Sequence, residues 1–235
     1  MSRTRRQVRK PPSTSRQKRS DRLHRILVVS EGALTEPEYF ELLNRHIQHT
    51  LPPHADKIQI KVDPKTKDGK ARRKAKNNPM DVVDRCILLR DDDARKNNTK
   101  DIPKYAAVFA VVDVDQWDDV RRGSGNTSLL AKALSKAKNH GIHVLVSNPQ
   151  FETWLVLHTE CTPAGDQQGL DRQCRERSLL KGKNIHDDFP IDQYKRAAER
   201  AKEHHPVGVN QIGPKGSTGL FHLVDTISKW TCLDR

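Results

Sequence analysis

The chain has 235 residues, of which 34% are hydrophobic and 31% charged, so it is polar but long enough to bury a core. No run approaches the ~18–20 apolar residues that a membrane helix needs, and the basic N-terminus lacks the apolar segment of a secretory signal. We therefore expect a cytoplasmic protein with no membrane partner. The four cysteines form no C-x-x-C pair, which argues against a zinc site and predicts reduced thiols.

Positive charge is concentrated in two short segments. The formal net charge is +13; residues 1–22 contribute +8 and residues 65–78 contribute +6, and subtracting both leaves −1 for the rest. Such segments attract a polyanion by releasing its counterions, without sequence specificity. We therefore expect nucleic-acid binding, with the solubilising tail as the alternative. The candidate binding residues of the second segment are Lys70, Arg72, Arg73, Lys74 and Lys76.

The first elements follow from composition and apolar spacing. Residues 1–22 contain Pro, Ser and many Arg with almost nothing apolar, and are predicted to be a disordered basic tail. The β-branched run at 23–30 predicts a buried strand. Thr35 and Pro37 are typical of a helix start, and a helix is predicted over about 36–49.

The rest of the chain continues the alternation of strand and helix as far as residue 160. Further strands are predicted at 57–62, 105–115 and 142–147, and helices from 79, over 127–139 and from 151. This order predicts an α/β fold over 23–160, a mainly parallel sheet flanked by helices, with the basic loop 65–78 inserted. Residues 161–235 are predicted to be a helical C-terminal part packed on that core, with helices around 168–180, 191–204 and 218–230.

Carboxylates follow two of the predicted strands. Glu31 comes after the strand at 23–30, and Asp113 and Asp115 end the strand at 105–115. Sites in open parallel sheets form beyond the carboxyl ends of the strands, so these side chains are expected to share one edge. Neighbouring carboxylates repel each other when buried, and a divalent cation removes that repulsion. The pattern predicts a Mg²⁺ or Mn²⁺ site at Glu31, Asp113 and Asp115; the alternative is an acidic turn.

Further candidates lie near the same edge. Glu36 can reach back toward Glu31, and Glu152 begins a helix after the fourth strand, although acids in a first turn also suit the helix dipole. Lys181, Lys183 and Lys215 lie in Gly-containing stretches, where one of them could neutralise a phosphate. Of the three we select Lys215, against the default of a solvated surface lysine.

Three motifs, in order along the chain, resemble those of the RloB family of Toprim-related proteins linked to abortive infection. They are EG-x-x-TEP-x-YF from residue 31, VDVD at 112–115 and N-P-x-F-E-x-W-L-x-L-H at 148–158. The resemblance runs from about residue 24 to the C-terminus, without the tail and the basic loop. It implies a Toprim-like core in which Glu31, Asp113 and Asp115 form the metal site. Related nucleases add an acid after the first Glu, which Glu36 matches loosely.

The leading functional prediction is a Mg²⁺- or Mn²⁺-dependent Toprim-type nuclease acting in antiphage defence. It would hydrolyse phosphodiesters of RNA, such as tRNA, or of DNA. Glu31 would share the metal or act as acid or base, with Glu36, Glu152 and Lys215 as further catalytic candidates. The resemblance also implies control by a separately encoded ATPase. The chain has no phosphate-binding loop of its own, so it is not expected to hydrolyse ATP.

Two alternatives belong to other classes. One is a non-catalytic subunit of a defence complex that binds nucleic acid or a partner protein. The other is a primase- or topoisomerase-like activity on the same core, which ranks last because Tyr39, Tyr105 and Tyr194 all have structural contexts. The choice between RNA and DNA, the number of metal ions, the trigger and the oligomeric state stay open, with a homo-oligomer as one option.

Overall fold

The computed structural model describes residues 22–52, 55–64, 66–67, 70–71, 78–97, 102–115, 117–120 and 127–231. The predicted tail lies outside these residues except for Arg22. The basic loop lies mostly outside them, and of its five candidate nucleic-acid contacts only the backbone of Lys70 is described. Nucleic-acid binding by Arg72, Arg73, Lys74 and Lys76 therefore stays a prediction.

Strands and helices alternate along the chain as far as the fourth long strand. The strands are β1 Leu23–Ser30, β2 Lys57–Asp63, β3 Thr66–Lys67, β4 Lys70–Ala71, β5 Tyr105–Asp113, β6 His143–Asn148, β7 Leu180–Lys181, β8 Asn184–Ile185 and β9 Ser217–Thr218. The helices are α1 Thr35–Thr50, α2 Pro79–Lys96, α3 Leu129–Asn139, α4 Glu152–Val156, α5 Gln167–Glu176, α6 Tyr194–His204 and α7 Phe221–Thr231. No helix in the described part of the chain is long and apolar enough to cross a bilayer.

Five strands form one sheet in the order β2-β1-β5-β6-β9. The first four are parallel, and only β9 runs antiparallel, pairing Ser217 and Thr218 with the end of β6. Parallel neighbours require crossover connections, which α1, α2 and α3 supply. The predicted α/β fold with a mainly parallel sheet is confirmed.

Helices cover both faces of this sheet, because alternate residues of each strand point to opposite sides. Ile26 and Val28 of β1 face a large cluster formed with α1 and the C-terminal helices. Leu27 and Val29 face a smaller cluster formed with α2 and α3. Both faces are buried, as in other parallel sheets, so ligands reach the sheet at its strand ends.

The strand predicted at 105–115 ends earlier than expected, at Asp113, and Asp115 adopts a left-handed conformation with φ 32° in the turn that follows. The predicted helical C-terminal part is confirmed by α5, α6 and α7. Short strands accompany these helices, because β9 joins the core sheet and β7 pairs with β8 in a hairpin. These strands have two residues each, too short to show the alternation by which a strand is recognised.

Candidate carboxylate site

The ends of β1, β5 and β6 meet at one edge of the sheet. The amide of Glu31 donates to Val111 O of β5 at 3.0 Å, and the amide of Val114 donates to Ser147 O of β6 at 2.9 Å. The amide of Asp115 continues across to Pro149 O at 3.2 Å. The turn after β1 is therefore hydrogen-bonded to β5, and the turn after β5 is hydrogen-bonded to β6 and to the turn that follows β6.

Glu31 is half-buried and held by two donors from the neighbouring strand and turn. The indole Nε1 of Trp117 donates to its Oε1 at 2.7 Å, and the amide of Asp113 approaches its Oε2 at 3.5 Å. Burial raises the pKa of Glu31, although both hydrogen bonds act to lower it. These hydrogen bonds therefore orient the carboxylate of Glu31, but burial still makes its ionised form less stable than it would be in water.

Glu36 folds back over the turn that follows β1. Its side chain is only 7% exposed, and its Oε1 accepts from the amide of Gly32 at 2.9 Å. A Cβ at Gly32 would lie 1.9 Å from Oε2 of Glu36, so only glycine leaves room for this carboxylate. Burial, together with the charges of Glu152 and Glu31, raises the pKa of Glu36 to about 7.

The two aspartates of the D-x-D motif occupy different environments. Asp113 closes β5, and burial together with the charges of Glu36, Glu152 and Glu31 raises its pKa well above the usual value. Asp115 is exposed beyond the turn, and its charge contributes to raising the pKa of Glu31. Asp113 therefore belongs to the centre of the acidic group, and Asp115 to its rim.

Glu152 completes the group from the start of α4. Burial raises its pKa, and the positive charge of Lys183 partly offsets that rise. Glu36, Asp113 and Glu152 line one cavity of about 570 Å³, to which α5 and the β7–β8 hairpin contribute the facing wall. Three of the predicted acids therefore share one cavity, and Glu31 lies beside it.

The lysine chosen from the sequence lies elsewhere. Lys215 is exposed in the turn before β9, where its side chain lies against Gly165. Of the three lysines considered, Lys183 lines the carboxylate cavity, and so does Arg175 of α5. Sequence reasoning also missed Trp117, which follows the D-x-D motif by two residues and had no pattern of its own.

The acids suit a hard divalent cation by their chemistry. Oxygen ligands are what Mg²⁺ and Mn²⁺ prefer. Burial first, and then the charges of neighbouring carboxylates, raise the pKa values of Asp113 and Glu36, and a bound cation would offset both effects. Although these acids share a cavity, no three His, Cys, Asp or Glu side chains among the described residues lie close enough together to hold one metal ion. Mg²⁺ needs only one or two carboxylates beside water and substrate phosphate, so this arrangement is compatible with it.

Comparison with known proteins identifies one family. A family model described as RloB-like protein matches residues 26–227 of the 235. No curated protein and no solved structure matches the chain. The matched range includes every carboxylate of the site.

Proposed function

The chain belongs to the RloB-like protein family, and on that premise we propose that it is a metal-dependent endonuclease of antiphage defence. The observation that carries the proposal is the convergence of Glu36, Asp113 and Glu152 on one cavity, with Glu31 beside them. Carboxylates whose pKa values are raised by burial and by one another's charge, at the edge of a parallel sheet, are typical of a functional site. Control by a separately encoded ATPase is part of the proposal.

The residues that would hold the metal are Asp113 and Glu31, with Asp115 at the rim. Their oxygens come from the ends of adjacent strands, and Trp117 already orients Glu31. A bound Mg²⁺ or Mn²⁺ would activate water and offset the charge that develops on phosphate.

Glu36 is the candidate for proton transfer. A general acid or base works best when its pKa lies near the working pH, and burial places the pKa of Glu36 at about 7. The amide of Gly32 fixes Oε1, so the carboxyl group has a defined orientation in the cavity wall. Glu152 lies across the same cavity and is the second candidate for this role.

One observation favours a different function, a non-catalytic subunit that binds nucleic acid or a partner protein. The described acids include no ready cluster of three metal ligands. In that case the carboxylates would serve structure, and binding to nucleic acid would be independent of metal.

Cleavage of labelled tRNA, single-stranded DNA and plasmid, with Mg²⁺, Mn²⁺ or EDTA, separates the two functions. We expect cutting that needs metal and is lost in Asp113→Asn, which keeps the shape of the side chain. We also expect Glu36→Gln to lose cutting, because glutamine cannot transfer the proton. Glu41→Gln is its matched control, because Glu41 also lies on α1 but lines a neighbouring cavity. The assay is repeated with the partner ATPase added. If the protein binds nucleic acid independently of metal and cuts it neither with nor without the ATPase, the non-catalytic function is established.

A further inference from the structure

The β7–β8 hairpin is fastened to the first turns of α1. Glu38 accepts two hydrogen bonds from it, through Oε1 from Asn184 Nδ2 at 2.7 Å and through Oε2 from the amide of Ile185 at 2.8 Å. The hydroxyl of Thr35 donates to the carbonyl of Lys183 at 2.7 Å. The turn of the hairpin is therefore held by the helix that carries Glu36.

This attachment places one lysine of the hairpin at the carboxylates. Gly182 makes the turn with a φ of +68°, a conformation that favours glycine. Lys183, just after it, lines the cavity of Glu36, Asp113 and Glu152, whereas Lys181 lines the neighbouring cavity. Lys181 and Lys183, two positions apart in the chain, therefore line different cavities.

Charge in the cavity is divided between its walls. The side of the sheet edge supplies Glu36, Asp113 and Glu152, while the facing wall supplies both cations, Lys183 and Arg175, and one further carboxylate, Asp171. The charge of Lys183 reaches Glu152, because it lowers the pKa of that carboxyl against the effect of burial. An anion entering beside the carboxylates would meet these cations.

We propose that Lys183 binds the phosphate of a single nucleotide of a single-stranded nucleic acid in this cavity, with Thr35 and Glu38 as positioning residues. The inference rests on the proposed nuclease function. At about 570 Å³, the cavity falls within the range of about 300–1,000 Å³ that is usual for small-ligand sites. That space suits a nucleotide, not a duplex, so the substrate class is a strand end, a loop or an unpaired region.

Binding is measured by fluorescence anisotropy of a labelled single-stranded oligonucleotide, with Ca²⁺ in place of Mg²⁺, over a series of salt concentrations. We expect Lys183→Ala to weaken binding about tenfold and to reduce the slope of log K against log salt by about 0.7, the value for one lost contact to a single-strand phosphate. Lys181→Ala, the matched control, keeps the wild-type slope. Lys183→Arg restores the slope because it keeps the charge.

The positioning role has its own test. Thr35→Val removes the hydroxyl and keeps the size of the side chain, so it weakens binding in the wild-type background. It adds nothing in the Lys183→Ala background, because the two residues act as a unit. Additive losses in the double variant would show that Thr35 acts independently of Lys183.

The outcomes separate this inference from the proposed function. Wild-type affinity and slope in Lys183→Ala, or equal affinity for single strands and duplexes, would overturn the inference even where the wild-type protein cleaves. Reduced affinity and slope in Lys183→Ala, with no cleavage by the wild-type protein under any condition, would support phosphate binding and remove the nuclease function.

Discussion

The indole Nε1 of Trp117 donates a 2.7 Å hydrogen bond to Oε1 of Glu31, across the turn that carries Asp115. The backbone of Trp117 is fixed on both sides, because its amide donates to Val114 O at 2.9 Å and its carbonyl accepts from Leu130 N at 3.1 Å. The indole is thus a rigid support for Glu31. Partners of this kind orient metal-binding carboxylates.

Removing that support should weaken metal binding. Trp117→Phe keeps an aromatic ring but loses the donor, and we expect the Mn²⁺ concentration at half-maximal thermal stabilisation to rise ~10-fold. Trp230→Phe is the matched control, because Trp230 stacks on His24 near the start of β1, with ring centroids 4.4 Å apart. An unchanged midpoint in Trp117→Phe would mean that Glu31 does not bind the metal.

Neutralising Glu36 should stabilise the metal-free protein. Its ionised form faces the charges of Glu152 and Glu31 in a buried position, and glutamine still offers an oxygen to the amide of Gly32. In EDTA at about pH 8, where Glu36 is mostly ionised, we expect Glu36→Gln to raise Tm by several degrees, corresponding to about 1–2 kcal/mol. Mg²⁺ should reduce the difference in Tm between Glu36→Gln and the wild-type protein. A lower Tm in EDTA would contradict this account.

Replacing Gly32 should disturb the site, because the carboxylate of Glu36 occupies the space that a Cβ at position 32 would need. A Cβ there would lie 1.9 Å from Oε2 of Glu36, so Gly32→Ala must displace that carboxylate and break its hydrogen bond with the amide of residue 32, at a cost of about 1 kcal/mol. Gly141→Ala is the control, because Gly141 has a φ of +65° with open space around it, and the cost there is conformational, about 1–2 kcal/mol. Both variants should lose stability by urea unfolding, but only Gly32→Ala, which displaces the proposed proton-transfer group, should lose the metal-dependent cleavage expected on the proposed function.

His158 should make the fold sensitive to acid. It is buried against Trp154 and Tyr39, and burial lowers its pKa from 6.5 to about 4. Between these values the unfolded chain takes up a proton that the folded chain does not, so the free energy of unfolding falls as the pH falls, by about 3 kcal/mol in all. His158→Gln cannot titrate, and its free energy of unfolding should fall less over the same range. If the free energy of unfolding fell equally with pH in the wild-type protein and in His158→Gln, His158 would not be the source of the acid sensitivity.

The core sheet could be predicted because its strands carry their own signal. Runs such as 23–30 and 142–147 are β-branched and buried on both faces, and the alternation with helices dictates parallel pairing. β7, β8 and β9 could not be predicted, since each has two residues. They form through tertiary contacts, such as the hydrogen bonds that Glu38 makes to the hairpin.

The residues of the candidate site likewise divide into those that could be predicted from the sequence and those that could not. Glu31, Asp113 and Glu152 could be predicted because each follows a strand closely, and strand ends share an edge. Lys183 could not be chosen over Lys215, because its position depends on Thr35, nearly 150 residues earlier in the chain. Trp117 has no periodic or motif signal; its role depends on the turn in which Asp115 has a positive φ.

The late position of β9 determines the order in which a nascent chain can complete the sheet. The synthesis of β1, β2, β5 and β6 is complete at residue 148, whereas β9, the antiparallel neighbour of β6, is made some 70 residues later. The cavity wall from α5 and the hairpin also follows the acids in synthesis. On the proposed function, an enzyme translated in this order has all its carboxylates of the sheet edge before it has the wall that carries Lys183.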